Sequence, residues 1–204
     1  LGGLHSAKIV LYSVDFAEIE RLQHHGNWEA AGVVLANAAQ ALEHAGADFI
    51  VLCTNTMHKV APAIEAAVTI PLLHIADPTA AQIRKVGLSR IGLLGTSFTM
   101  EQDFYRGRLA ERHGIEVLVP DQEDRNLVHR VIYEELCLGR VEDASRLAYR
   151  DVMRRLVERG AQGIILGCTE ISLLVGELDA SVPLFDTTGI HAAAAAEWAL
   201  PAVS

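Results

Sequence analysis

At 204 residues, half of them apolar and 21% charged, the chain has the composition of a folded protein and not of a disordered one. Its formal net charge of -9, with 17 lysines and arginines scattered along it, excludes a basic stripe for nucleic acid. No apolar run reaches the roughly 20 residues of a membrane span, and an odd cysteine count of three argues for a reducing, cytoplasmic setting over a disulfide scaffold.

The opening residues, Leu-Gly-Gly-Leu-His-Ser-Ala, carry no signal-peptide pattern and do not read as a natural start. Residues 9–14 predict a strand, mostly apolar. Asn27 is a candidate N-cap for a helix over residues 28–44, rich in Ala and Leu and closed by Gly46. Residues 48–52 predict a short buried strand that ends at Cys53, followed by the polar loop Thr54, Asn55 and Thr56. A helix over residues 57–67 accommodates Pro62 best in its first turn. Residues 71–75 predict a strand, and Asp77 or Thr79 opens a helix to Val86.

Residues 90–96 predict a strand with a tight turn, residues 100–113 a helix stopped by Gly114, and residues 115–119 a strand. Helices follow over 125–138 and 141–159, the second closed by Gly160. Residues 163–167 predict a strand with Cys168 just past it, 183–185 a short strand, and 190–200 a final Ala-rich helix. Strands apolar on both faces, alternating with helices, imply an α/β fold of parallel sheets joined by right-handed crossovers.

The pattern also repeats. Gly46-Ala47, an apolar strand, Cys53-Thr54 and the Pro71 strand return as Gly160-Ala161, an apolar strand, Cys168-Thr169 and the Pro183 strand. A duplicated α/β half explains that shared order. Each half then presents one cysteine at the C-terminal edge of a sheet, where open α/β sheets bind ligands.

One isolated cysteine reads as packing. Two at duplicated positions read as a shared task. The thiolate is the active form, with an ordinary pKa of about 8.5, and a helix starting after each cysteine is expected to lower it. One thiol per half suits racemisation, which needs a base on one face of a carbon and an acid on the other. Thr54, Asn55, Thr56 and Thr169 are candidate donors for the charge that develops.

Other chemistries lack their motifs. No nucleophile elbow, P-loop or dinucleotide fingerprint occurs, and the Gly95 turn alone is weak support for phosphate. Lys59 and Lys85 read as surface residues and not as Schiff-base lysines. Neither Cys53 with His58 nor the pair His24 and His25 makes a zinc ligand set. Cys137 lies in a helical pattern and reads as packing.

Cys53-Thr54-Asn55-Thr56-Met57-His58 and Gly167-Cys168-Thr169-Glu170 resemble the paired cysteine motifs of the aspartate/glutamate racemase family. Ser13-Val14-Asp15-Phe16, Leu94-Gly95-Thr96, residues 100–105 and Phe185-Asp186-Thr187 extend the likeness over essentially the whole chain. Within the family it is most similar to the bacterial broad-specificity amino-acid racemase branch. The resemblance implies a racemase that uses neither pyridoxal phosphate nor metal. It implies two pseudo-symmetric Rossmann-like lobes, an amino-acid substrate in the cleft between them, and a homodimer. It places the catalytic thiols at Cys53 and Cys168. The substrate loop becomes Thr54, Asn55 and Thr56, with Thr169 and Glu170 opposite. The last strand and helix return to the first lobe, so the lobes become 1–76 plus 185–204, and 77–184.

Three departures qualify the resemblance. The family's first strand and its glycine-rich Met-Ser-Trp-Glu loop are absent, so a strand and loop are expected upstream of Leu1. Glu170 stands where glutamate racemases often carry His. Leu138 stands where aspartate-specific relatives carry Lys, and without a cation a second substrate carboxylate is poorly recognised. The rival readings are a maleate-type isomerase or a decarboxylase of the same superfamily, and a non-enzymatic small-molecule binding protein.

Overall fold

The computed structural model describes Leu4 and residues 6–200. The chain is an α/β protein with parallel sheets flanked by helices. It divides into two compact units. One holds the chain up to Leu52, Met57–His74 and the part from Ala193; the other holds Cys53–Thr56 and Ile75–Ala192.

The first unit contains α1 (Phe16–His24), α2 (Trp28–His44), β1 (Ile50–Val51), α3 (Ala61–Ala67) and β2 (Leu72–Leu73). Asn27 Oδ1 accepts from the Ala30 amide at 3.2 Å, which starts α2 where the cap was expected. Gly46, at φ +87°, takes the left-handed conformation that ends it. Residues 56–60 form a 3₁₀ turn, and Pro62 falls in the first turn of α3, where no amide donor is needed. β1 and β2 pair in parallel, Ile50 with Leu72 and Val51 with Leu73. Ile19, Leu35, Ile50, Met57 and Ile64 close the core between them.

Residues 9–14 do not form the predicted strand. They run without regular structure, and Ile9 and Leu11 are each 81% exposed. A strand is stable only within a ladder, and no described strand pairs with this segment. Helix α1 follows directly because Asp15 Oδ1 accepts from the Ala17 amide at 3.0 Å. The residues before Leu4 and His5 lie outside the described part, so the reading of the chain's opening does too.

The second unit contains α4 (Ala76–Lys85), β3 (Arg90–Gly95), α5 (Ser97–Glu101), α6 (Asp103–His113), β4 (Glu116–Leu118), α7 (Gln122–Glu134), α8 (Asp143–Glu158), β5 (Ile164–Gly167), α9 (Ile171–Leu174) and β6 (Leu184–Asp186). Helix α10 (Thr187–Ala199) starts here as well. The strands order β4-β3-β5-β6, all parallel. Ile91, Leu93, Leu94, Ile164 and Ile165 of the two central strands are fully buried against Tyr105, Leu109, Tyr149 and Leu156. That explains why β3 and β5 read as apolar on both faces.

Two differences from expectation have local causes. The predicted helix over 100–113 is two helices, because Thr96 caps α5 early and Gln102 is extended at ψ 152°. The last strand was expected to return to the first lobe. Instead β6 is hydrogen-bonded to β5, Phe185 opposite Ile165, and the chain rejoins the first unit only from Ala193.

Asp121 caps α7 by accepting from the Asp124 amide at 3.0 Å. Asp121→Ala leaves that amide unpaired and is expected to cost about 1 kcal/mol. The check is a lower urea midpoint with an unchanged denaturant slope.

Candidate active site

Cys168 follows the last residue of β5, and Cys53 lies two residues beyond the end of β1, after Leu52. The loop carrying Cys53 is bonded into the second unit. Asn55 Nδ2 donates to Thr187 Oγ1 at 3.0 Å, and Thr187 Oγ1 donates to the Leu166 carbonyl at 2.8 Å. Thr56 Oγ1 lies 3.0 Å from Thr96 Oγ1 and 3.3 Å from Thr99 Oγ1. Thr96 follows β3 and Thr187 follows β6, the two strands on either side of β5. The Cys53 loop is therefore fixed at the same C-terminal sheet edge from which Cys168 emerges, the edge where open α/β sheets bind ligands.

Burial divides the loop. Cys53 is exposed and Thr54 is half-buried, while Asn55 and Thr56 are only 3% and 6% exposed. Asn55 Oδ1 is buried without a hydrogen-bond donor. An unmet buried acceptor costs about 1–3 kcal/mol, so this atom is ready for a donor from a ligand.

On the other side, Cys168, Thr169 and Glu170 are all half-buried. Cys168 Sγ donates to Glu170 Oε2 at 2.9 Å, and Thr169 Oγ1 donates to the same oxygen at 2.7 Å. Burial pushes the Cys168 thiol well above its ordinary range, and the Glu170 charge and side-chain hydrogen bond push the same way, against a smaller downward pull from the Glu170 backbone N–H. Desolvation raises Cys53. Both shifts run opposite to the expected lowering. A 3₁₀ turn follows Cys53, and the four-residue α9 follows Cys168, so neither thiol meets the long helix dipole on which the expectation rested.

Cys137 is not a packing residue either. The helix ends at Glu134, and Cys137 sits exposed in the 3₁₀ turn Leu136–Leu138. Its thiol is pushed up to about 11 by desolvation and by the nearby Glu170 charge. Tyr149 of α8 is also electrostatically coupled to Cys168, and its hydroxyl donates to the Val128 carbonyl at 2.9 Å.

The hydroxyls of Thr96, Thr99 and Thr187 were missed as site residues. Their signal was position: Thr96 closes the predicted strand over 90–96, and Thr187 lies two residues past the predicted strand over 183–185. A cavity of about 270 Å³ lined by Asp121, Asp124, Arg155 and Arg159 holds neither cysteine. Its arginines are already engaged, Arg155 with Asp124 and Arg159 with the Val119 carbonyl. Among the described residues, no helix is long and apolar enough to cross a membrane.

A family model for Asp/Glu/Hydantoin racemase matches residues 1–195. A candidate Asp/Glu racemase from Yersinia pestis, known from a crystal structure, is 66% identical. The match covers 98% of this chain and 87% of that one, with a TM-score of 0.91. PH1733 from Pyrococcus horikoshii, an aspartate racemase homologue, is 36% identical over 98% of this chain and 86% of its own, with a TM-score of 0.82. The broad specificity amino-acid racemase RacX of Bacillus subtilis is 25% identical over 156 residues, covering 76% of this chain. The match spans 66% of RacX, just under two thirds of its length. The chain belongs to the Asp/Glu/Hydantoin racemase family, a family of enzymes.

Proposed function

We propose that the protein racemises amino acids without pyridoxal phosphate, passing the α-proton between Cys53 and Cys168. The observation that carries this reading is the anchoring of the Cys53 loop, through Asn55 and Thr56, to the strand ends that flank Cys168. One thiolate takes the Cα proton, breaking C–H and forming S–H. The electron pair left on carbon is delocalised into the carboxylate, where the Asn55 amide and the Thr54 hydroxyl stabilise it. The other thiol then donates its proton to the opposite face, and the enantiomer forms. The substrate ammonium supplies the donor that Asn55 Oδ1 lacks.

The substrate range extends to amino acids without a second carboxylate. Glu170 places a negative charge beside Cys168, and Leu138, 66% exposed in the turn that holds Cys137, offers no cation. Similarity to RacX supports the same range. A panel of enantiopure amino acids with chiral chromatography tests the proposal. Inversion of neutral as well as acidic substrates is expected. Carbon dioxide release from malonates, or cis–trans isomerisation of maleate, without inversion of any amino acid would move the protein to one of the rival activities.

The pH dependence has a definite sign. The attacking thiol works as thiolate, and burial raises its pKa, so activity falls as pH drops below the thiol's own value. Initial rates are expected to keep rising past about pH 8.5, the ordinary thiol value. A rate flat from pH 6 to 8 would contradict this.

A further inference from the structure

We infer that Glu170 is the positioning residue that keeps Cys168 as the protonated partner in the resting protein, so that Cys53 starts turnover and Cys168 donates. The kinetic part of this inference rests on the racemase reading above; the protonation part does not. Its basis is geometric. One carboxylate oxygen, Glu170 Oε2, receives the Cys168 S–H at 2.9 Å and the Thr169 O–H at 2.7 Å. The Thr169 bond holds the carboxylate against the sulfur. A carboxylate in that place accepts only from a thiol; it cannot hydrogen-bond to a thiolate unless it first takes up a proton.

The Glu170 backbone N–H hydrogen bond acts against the bias, but burial and the Glu170 carboxylate outweigh it. Cys137 reaches it from the turn after α7, and Tyr149 from α8. Both are acids, and Glu170 raises Cys137 as well. Both stay neutral at neutral pH, so the Glu170 carboxylate is the negative charge that a Cys168 thiolate would meet. Desolvation raises Cys53. The two thiols, related by the sequence repeat, are chemically unequal.

The inequality orders the reaction. For the enantiomer whose α-hydrogen faces Cys53, the Cys53 thiolate takes the proton and the Cys168 S–H gives its proton to carbon. Cys168 is left as a thiolate beside the Glu170 carboxylate, and that repulsion favours uptake of a proton from water. For the opposite enantiomer, Cys168 must first lose its proton. Glu170 is the acceptor already in place: S–H breaks, O–H forms, and the net charge of the pair is unchanged. One direction needs only the solvent-controlled deprotonation of Cys53, whereas the other needs the transfer to Glu170 first.

The test uses the full chain with Cys53→Ser and Cys137→Ser, which leaves Cys168 as the sole thiol of the three. The rate of iodoacetamide alkylation against pH gives the Cys168 midpoint. It should lie clearly above the ordinary thiol value of about 8.5. Adding Glu170→Gln should move the midpoint down by about one pH unit or more, because the like charge is gone. Glu170→Asp, which keeps the charge, should leave it high. A midpoint near the ordinary value with Glu170 intact, or equal midpoints for Glu170 and Glu170→Gln, would overturn the inference. In the protein with all three cysteines, Glu170→Gln should narrow the difference in rate between the two enantiomers at neutral pH. A shifted midpoint without racemisation of any amino acid would uphold the protonation bias and refute the racemase reading instead.

Discussion

Cys53→Ala and Cys168→Ala are each expected to abolish racemisation, by a factor of roughly 100 to 10,000, the usual contribution of one positioned acid or base. Neither should abolish proton exchange altogether. With Cys168 gone, Cys53 can still take the α-proton from the enantiomer that presents it on that side and return one from solvent. With Cys53 gone, exchange is limited to the opposite enantiomer. Deuterium wash-in at Cα, measured separately for each pure enantiomer, separates the two cases. The Glu170 contact adds a further asymmetry: Cys53→Ala should show the slower residual exchange, because the remaining thiol is the one held protonated. Retention of the wild-type rate in either variant would refute the two-thiol account.

Gly167→Ala should be nearly as damaging without touching either thiol. A Cβ on Gly167 would lie 2.8 Å from the Leu94 carbonyl oxygen and 2.8 Å from Leu93 Cδ1. The carbonyl belongs to the strand paired with β5, where Leu94 stands opposite Leu166 and Gly95 opposite Gly167. It cannot retreat without opening the ladder. The overpacking is expected to cost about 1–3 kcal/mol. The larger effect falls on activity, since Cys168 is the next residue, and a shift of about 1 Å in a reacting group can cost 100-fold in rate. Gly176→Ala is the control: nothing lies within 4 Å of its added methyl, and its φ of -136° suits any residue. It should change stability by no more than about 0.5 kcal/mol. Thermal unfolding alongside initial rates distinguishes a displaced thiol from a collapsed fold.

The parts of the fold legible in the sequence are those decided locally. Asn27 and Gly46 bound α2 because capping and left-handed glycine are properties of a few adjacent residues. β3 and β5 were legible because strands buried on both faces must be apolar throughout. Residues 9–14 have the same composition and no ladder; pairing depends on a neighbour, and composition cannot report one. The placement of β6 was obscured for the same reason. Phe185 is apolar whichever sheet it joins, and only its register with Ile165 decides.

The candidate site divides similarly. The repeated Cys-Thr pairs marked both thiols, and the polar run Thr54 to Thr56 marked the loop. The bonds that hold the loop were not legible, since Asn55 and Thr187 are 132 positions apart. The direction of the thiol shifts was misread because helix length and burial, which the sequence pattern leaves open, outweigh the presence of a following helix. Cys137 looked like packing because its sequence is helical, yet the helix stops at Glu134 and the turn exposes it.

The central claim is that one thiol removes the α-proton while the other supplies a different proton to the opposite face. Conversion of a single enantiomer in heavy water, sampled early and separated by chiral chromatography before mass spectrometry, tests it most directly. The account predicts product carrying one deuterium at Cα, while the remaining substrate stays unlabelled, because the donated proton comes from a thiol equilibrated with solvent and the abstracted one is retained elsewhere. Product that keeps the substrate's own α-hydrogen, or substrate and product labelled to the same extent from the first turnover, would contradict it.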